Sequence, residues 1–191
     1  MDVYHLIRFV HIASAVALLA CSVIASPGVR AATRRATTTQ DMRAYLAIGR
    51  PLHALEPASA FVVLATGLYL TGVAGFWQVA WVQVAIAFWI ANSVAAATLV
   101  KPAMTRVAQA LNSAPDGPVG QQLDGLRWSA RWSLGGDILL STDAAMLYVM
   151  VMQPGLAGSL VAVVALNLVI ALLRVARSRR GTLDHRRPAT A

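Results

Sequence analysis

Five apolar segments, each about long enough to cross a bilayer as a helix, dominate this sequence. A spanning helix needs about 20 largely apolar residues, because each residue rises about 1.5 Å and the hydrocarbon core is about 30 Å thick. The sequence predicts such helices at about residues 4–26, 52–74, 77–100, 136–153 and 157–173. We therefore predict an all-α fold, a polytopic transmembrane helix bundle with a four-helix core and a fifth carboxyl-terminal helix.

Composition agrees with a chain whose main solvent is lipid. Hydrophobic residues make up 58% of the sequence and charged residues 13%, and the mean hydropathy is +0.62. These values exclude an ordinary soluble domain. We assign residues 1–176 to a transmembrane helical domain and 177–191 to a basic tail, and we expect the lipid bilayer to be the principal partner. The sequence leaves open whether a second copy of the chain or another membrane protein also binds.

The positive charges are confined to three stretches that follow the first, third and fifth apolar segments. They are Arg30, Arg34, Arg35, Arg43 and Arg50; then Lys101, Arg106, Arg127 and Arg131; and finally Arg174, Arg177, Arg179, Arg180, Arg186 and Arg187. With five crossings all of these cations fall on one side, and Arg8 is the exception. The positive-inside rule then predicts an amino terminus outside and a carboxyl terminus in the cytoplasm. The basic residues are confined to these three stretches and are not accompanied by a surface of aromatic and basic side chains, which argues against nucleic-acid binding.

Ionisable side chains within apolar segments are costly, so each one is a candidate functional residue. These candidates are His5, Arg8 and His11 in the first helix, His53 and Glu56 in the second, and Asp137 and Asp143 in the fourth. We expect Asp143 to face the bundle interior, with His11 or Arg8 as its partner. Glu56 and Asp137 lie nearer the cytoplasmic edge, where Arg50 or Arg131 could form ion pairs with them.

His11 supports two interpretations. It lies about 10 Å below the outer end of its helix, so it is either hydrogen-bonded between helices or a haem or metal ligand. Met146 shares one helix face with Asp143. Counted from the outer helix ends, Met146 lies at about the same depth as His11, which would allow a His–Met haem or copper(I) site. Methionines in apolar helices also serve simply as packing residues. His53 lies about 20 Å of helical rise from the level of His11, so the two histidines cannot share one iron.

Catalytic motifs are absent from the sequence. It has no phosphate-binding glycine-rich loop, no zinc-protease His-Glu pair and no nucleophile elbow, so a non-enzymatic role is favoured. Cys21 is the only cysteine, so the chain by itself forms no disulfide and no multi-cysteine metal site.

Four sequence stretches carry a resemblance to a known family. They are LIRFVHIASAVALLA (6–20), MRAYLAIGRPLHALEPASAFVVLATGLYL (42–70), LVKPAMTRVAQAL (99–111) and MLYVMVMQP (146–154). Between about Tyr4 and Pro154 the chain resembles a bacterial family of predicted integral membrane proteins of unknown function. That family is similar to the membrane domain of the CopD copper-resistance proteins and to the HemJ-type protoporphyrinogen oxidases. The resemblance implies that His11 binds haem b. The tryptophan-glycine motif that follows the HemJ histidine is replaced here by ASAVALLACS.

Three functions follow as expectations. The first is an accessory or redox membrane protein whose helical core holds haem b, with His11 and Met146 as candidate ligands. The second is a proton or copper transport protein in which Arg8, His11 and Asp143 line the pathway. The third, implied by the resemblance, is a HemJ-like oxidoreductase.

Overall fold

The computed structural model describes residues 2–184, apart from the side chains of residues 26, 130, 131 and 174–184. In that part of the chain eight α-helices follow one another: α1 (Val3–Val23), α2 (Val29–Arg35), α3 (Thr39–Ala74), α4 (Ala80–Ala95), α5 (Lys101–Ser113), α6 (Gln121–Arg127), α7 (Ala130–Met152) and α8 (Leu156–Asp184). Two five-residue π-helical turns, Ile24–Gly28 and Ala96–Val100, join α1 to α2 and α4 to α5. A short 3₁₀ turn, Phe76–Gln78, precedes α4.

Five helical stretches are long and apolar enough to cross a membrane. They are Val3–Val23, Thr39–Ala74, Ala80–Ser113, Gln121–Met152 and Leu156–Leu173. The predicted all-α bundle is confirmed, and these helices fit a multi-pass membrane protein. Helix α1 packs along α3 and α7, α4 packs against α7, and α8 lies against α7 and α4. Large apolar side chains such as Phe9 and Phe61 point outward, 69% and 66% exposed, as expected of a surface covered by lipid.

The first spanning helix does not stop at Pro27 and Gly28, where the sequence predicted its end. Val29 donates its N–H to the carbonyl of Ile24, five residues back, so the chain widens into a π turn around the proline. Proline lacks an N–H and its ring crowds the preceding turn, and a wider turn relieves both problems without ending the helix. The helix then continues as α2 to Arg35.

The second spanning helix begins at Thr39, well before the predicted start at residue 52. The Thr38 hydroxyl caps it by accepting the N–H of Asp41 at 3.1 Å, and the helix then runs through Pro51 and Pro57 to Gly75. Gly75 ends it in the left-handed conformation, at φ 71°, which favours glycine. Residues 41–48, which precede the predicted helix, therefore form the opening of α3.

The other spanning helices also run further than their apolar stretches. The third spanning helix does not end at Lys101-Pro102. The π turn Ala96–Val100 leads directly into α5, which contains both residues and continues to Ser113. Helix α7 starts at Ala130 instead of residue 136. Helix α8 continues to Asp184 and so includes the first part of the predicted tail, whereas residues 185–191 lie outside the described part of the chain.

The ends of the helices form a small structured unit on one side of the bundle, here called the basic cap: α2, residues 39–50 of α3, α5 and α6. Its buried apolar cluster consists of Ala36, Met42, Ala103, Val107, Leu111, Leu123 and Trp132. Arg127 donates to the carbonyls of Thr33 and Ala36, at 3.1 and 2.7 Å. The backbone of Thr39 donates to the carbonyl of Gly117 at 2.9 Å. The first and third predicted basic loops are thus joined into one folded unit.

Candidate functional site

Ser22 joins two carboxyl groups inside the bundle. It lies near the end of α1 and is 1% exposed. Its hydroxyl donates to Asp143 Oδ2 on α7 at 2.6 Å and also lies 3.3 Å from Glu56 Oε1 on α3. A serine hydroxyl has one hydrogen, so it can donate to only one of these carboxyl groups at a time. Three helices therefore meet at one shared hydrogen-bond donor.

Asn92 on α4 completes this group of polar side chains. Its Nδ2 donates to Asp143 Oδ1 at 2.8 Å, so both oxygens of Asp143 accept a hydrogen bond. The other amide atom, Asn92 Oδ1, is buried and has no hydrogen-bond partner among the described residues. We call Ser22, Glu56, Asn92 and Asp143 the polar core. The prediction that Asp143 faces the interior of the bundle is confirmed.

The predicted cationic partners of Asp143 are wrong. Asp143 accepts hydrogen bonds from Ser22 and Asn92, whereas His11 bonds elsewhere and Arg8 is exposed. The reason is the register between α1 and α7, which the Ser22–Asp143 bond fixes. His11 is eleven residues before Ser22 and so lies about 16 Å of helical rise away, and Arg8 lies further still. Sequence alone does not show how two antiparallel helices are offset.

The same register separates His11 from Met146. Met146 is three residues beyond Asp143, about 4.5 Å of rise, whereas His11 is about 16 Å from the same level. The two side chains are thus about 12 Å apart along the bundle, too far to ligate one metal. The depth match predicted from sequence assumed that the outer ends of α1 and α7 are level, and they are not.

His11 links α1 to α3. Its Nδ1 lies 2.9 Å from Thr66 Oγ1, and the Thr66 hydroxyl itself donates to the carbonyl of Val62 at 2.6 Å. Since that hydroxyl has one hydrogen, Nδ1 must donate to it, and the lone pair of a neutral His11 is then on Nε2. The ring packs on Gly67, where an added Cβ would come within 3.0 Å of His11 Cε1. The interpretation of His11 as a histidine hydrogen-bonded between helices is confirmed.

The two other histidines among the described residues, His53 and His5, lie at opposite ends of the bundle. His53 is thirteen residues before Thr66 on α3, so about 20 Å of rise separates it from the level of His11, as predicted. His53 Nδ1 lies 3.8 Å from Glu56 Oε2, and no Arg50–Glu56 ion pair is found among the described residues. The side chain of Arg131, the other expected partner, lies outside the described part of the chain. His5 is exposed beside Asp2, with 3.6 Å between Nδ1 and Oδ2.

An arginine that the sequence assigned to a loop lies inside the bundle. The side chain of Arg30 is 6% exposed and forms an ion pair with Asp137. Its guanidinium also donates to the carbonyls of Ser133 and, at 3.3 Å, Trp132. Asp137 precedes Asp143 by six residues, so this pair lies about 9 Å from the polar core on the side of the basic cap.

Known proteins give no further guide to the site. Searches of protein-family models, curated proteins and solved structures find no match to this chain. Among the described residues, no group of three or more His, Cys, Asp or Glu side chains is arranged to hold a metal ion.

Proposed function

We propose that this chain is a membrane protein that binds protons inside its helix bundle and passes them across the bilayer. One observation carries the proposal: the buried Ser22 hydroxyl bridges Glu56 and Asp143, within apolar spanning helices. From the two distances, the carboxyl oxygens lie no more than about 6 Å apart, close enough for strong mutual repulsion when both are ionised.

A proton relieves this repulsion. Two carboxylates in a low-dielectric interior are stabilised when they share one proton, and the pair then titrates as a unit. The hydrogen-bond partners of Asp143 are the neutral groups of Ser22 and Asn92, which orient the carboxyl without neutralising its charge. The Ser22 hydroxyl can turn from one carboxyl to the other, so it can accept a proton on one side while giving its own to the other.

His53 is the proposed entry from the basic cap. It lies 3.8 Å from Glu56 and also lines an open groove between α3 and α5. That distance is too long for a direct hydrogen bond but suits a bridging water. An imidazole nitrogen can both accept and release a proton, which suits a residue that collects protons from solvent.

His11 is the proposed exit toward the other side. It lies on the same interface between α1 and α3, at the level of Thr66, ten residues beyond Glu56. Its Nε2 lone pair is available to accept a proton, because Nδ1 is committed to Thr66. About 15 Å of helical rise separates the exit from the polar core, a gap that mobile water would bridge.

We also propose the orientation and location of the chain: a bacterial inner membrane, with the amino terminus outside and the basic cap in the cytoplasm. The arginines of the first loop and the third loop supply the argument, because they meet in one folded unit. Reporter fusions after Arg35, Pro115 and Arg187 are expected to report cytoplasm. Fusions after Gly75 and Pro154 are expected to report the exterior, and an external signal after Arg187 contradicts five crossings.

Proton flux into sealed vesicles tests the proposed function. The purified full chain is reconstituted with an internal pH-sensitive dye, and a potassium gradient with valinomycin supplies the driving potential. We expect flux well above that of empty vesicles and its loss in Asp143→Asn. Ser141→Ala is the matched control, since Ser141 is an equally buried serine of α7 that bonds Asn167 of α8 and not the polar core. The proposal would be overturned if vesicles with the parent chain show no more proton flux than empty vesicles, or if Asp143→Asn keeps the full proton flux of the parent.

A second candidate function is haem b binding through His11, as implied by the resemblance to the HemJ-type proteins. The observation that favours it is the contact of His11 Nδ1 with Thr66, since a ligating histidine commonly has its other nitrogen fixed by a hydrogen bond. His11 would thus be able to hold the haem iron through Nε2, whereas Met146 lies too far along the bundle from His11 to hold the same iron. Bound haem would supply one-electron redox chemistry.

Absorption spectra separate this candidate from the first. After expression with haem precursor, we expect a haem-binding chain to show a Soret band that is lost in His11→Ala and kept in His53→Ala. Absence of the band from the parent removes the haem candidate and leaves proton transfer untouched. Retention of the band in His11→Ala removes His11 as the ligand.

A further inference from the structure

An apolar groove with a basic rim opens where α3 and α5 lie side by side. Its volume is about 280 Å³. Leu46, Met104 and Val107 form its sides, and Trp132 of α7 forms its floor. Arg43 and Arg50 stand at its rim, seven residues apart on one face of α3. The groove therefore combines an apolar interior with positive charge at its edge.

The groove lies at the level where the apolar runs of two spanning helices end. Arg50 comes two residues before Leu52, which opens the apolar run of α3, and Met104 comes four residues after Val100, which closes the run of α4. From Arg50 to Arg43 the helix rises about 10 Å. A bilayer is about 40–45 Å thick with its headgroups and about 30 Å without them, so each headgroup layer is about 5–8 Å thick. Arg50, next to the apolar run, falls within that layer, and Arg43 lies at its outer edge or beyond it.

The charge of the groove is positive. Arg50 is exposed, and no acidic side chain of the described residues forms an ion pair with it. Arg43 pairs with Asp116 and donates to the carbonyl of Ala114 at 2.6 Å, which holds it at the rim. None of the lining residues is an aspartate or a glutamate. An occupant would thus meet cations at the edge and apolar side chains inside.

We propose that this groove binds one anionic phospholipid, with its phosphate at Arg50 and its glycerol and first acyl carbons against Leu46, Met104 and Val107. A free phosphate would meet the cation and leave the apolar walls unused. A zwitterionic lipid would use the walls, but its own positive group would face arginine. An anionic phospholipid satisfies both parts at the depth where lipid headgroups lie. This inference does not depend on proton transfer.

Lipid titrations followed by native mass spectrometry test the site on the full chain in detergent micelles. The probes are dioleoylphosphatidylglycerol, dioleoylphosphatidylcholine and glycerol phosphate. We expect the phosphatidylglycerol to bind more tightly, with a preference of about fivefold carried by Arg50, since one basic residue near a membrane surface contributes about 1 kcal/mol. Arg50→Gln should remove that preference. Arg106→Gln, which removes an exposed arginine of α5 outside the groove, should keep it.

A second variant tests the apolar walls without changing charge. Ala108 is exposed and lines the groove, so Ala108→Trp fills it and should weaken binding of both lipids, while the thermal midpoint shows that the fold is kept. Equal loss of preference in Arg50→Gln and Arg106→Gln indicates diffuse charge attraction and overturns the site. Displacement of the lipid by glycerol phosphate, or unchanged binding in Ala108→Trp, contradicts the proposed role of the walls.

Discussion

Removing the Ser22 hydroxyl is the most informative single change, because it separates the polar core from ordinary buried hydrogen bonds. Ser22→Ala deletes the 2.6 Å donor to Asp143 Oδ2 and leaves that buried oxygen without it. Hydrogen bonds to charged groups are worth about 1.5–3 kcal/mol, so we expect the free energy of unfolding to fall by about 2–3 kcal/mol. For a chain of this length each kcal/mol corresponds to roughly 2–4 °C, and the thermal midpoint should fall by about 4–12 °C.

Ser141→Ala provides the comparison. Ser141 is also 1% exposed, and its hydroxyl donates to the Asn167 side-chain oxygen at 2.7 Å, so the variants differ mainly in the charge of the acceptor. Neutral hydrogen bonds between membrane helices average about 0.6 kcal/mol, which predicts a fall of about 1–2 °C.

Thermal unfolding in detergent can be followed at Cys21, the only cysteine, which is 4% exposed. A fluorogenic thiol dye reports its exposure. A substitution at Ser22 can expose the adjacent Cys21 to the dye without unfolding the chain. The midpoint must therefore agree with the one that far-ultraviolet circular dichroism gives. In the Asp143→Asn background, Ser22→Ala should cost less, since the 2.6 Å bond to a carboxylate is gone and only the longer 3.3 Å contact with Glu56 remains. The reasoning is refuted if Ser141→Ala costs as much as Ser22→Ala, or if Ser22→Ala costs as much in the Asp143→Asn background as in the parent chain.

Two further predictions concern contacts between helices outside the polar core. Gly67→Ala should destabilise the chain by about 1–3 kcal/mol, because the new Cβ would lie only 3.0 Å from the His11 ring. Gly72→Ala on the same helix meets open space and should be neutral or stabilising. Equal thermal midpoints for the two variants would contradict the His11 contact. Arg30→Gln should lower the free energy of unfolding by about 3 kcal/mol or more, since it breaks a buried ion pair. Arg35→Gln, at an exposed position, should change the thermal midpoint little. Similar small effects in both variants would show that Arg30 is not buried.

The spanning helices were predictable because they follow from local composition. Lipid excludes unpaired backbone groups, so a run of about 20 apolar residues has few alternatives to a helix. Where the helices end was less predictable. Pro27 and Pro102 read as helix breakers, yet a π turn absorbs the first and another π turn precedes the second. A π turn has no sequence signature as clear as the proline it accommodates.

The candidate site was predictable only in part. Glu56, Asp143 and His11 stand out because charge and imidazole are costly in an apolar run. Ser22 and Asn92 were missed, since neutral polar residues are tolerated in membrane helices. Asn92 still left a signal as a primary amide near the middle of the third apolar run.

The partners of the site residues depend on helix offset and rotation, which sequence periodicity does not fix. His11 and Met146 have similar distances from their own helix ends, yet the Ser22–Asp143 bond offsets the two helices. Arg30 was assigned to a loop because Pro27 and Gly28 precede it, and the continuous helix turns it inward to Asp137 instead.

The central claim is that Glu56 and Asp143 share one proton within the bundle, and infrared difference spectroscopy tests it most directly. The measurement is the carbonyl stretching band of protonated carboxyl groups, recorded on reconstituted full-length chain as the pH is changed. We predict one buried band that Asp143→Asn and Glu56→Gln each remove, that Ser22→Ala shifts, and that Ser141→Ala leaves unchanged. Two independent bands, each lost in only one of the carboxyl variants, or a band that survives in the double variant, would contradict the shared proton.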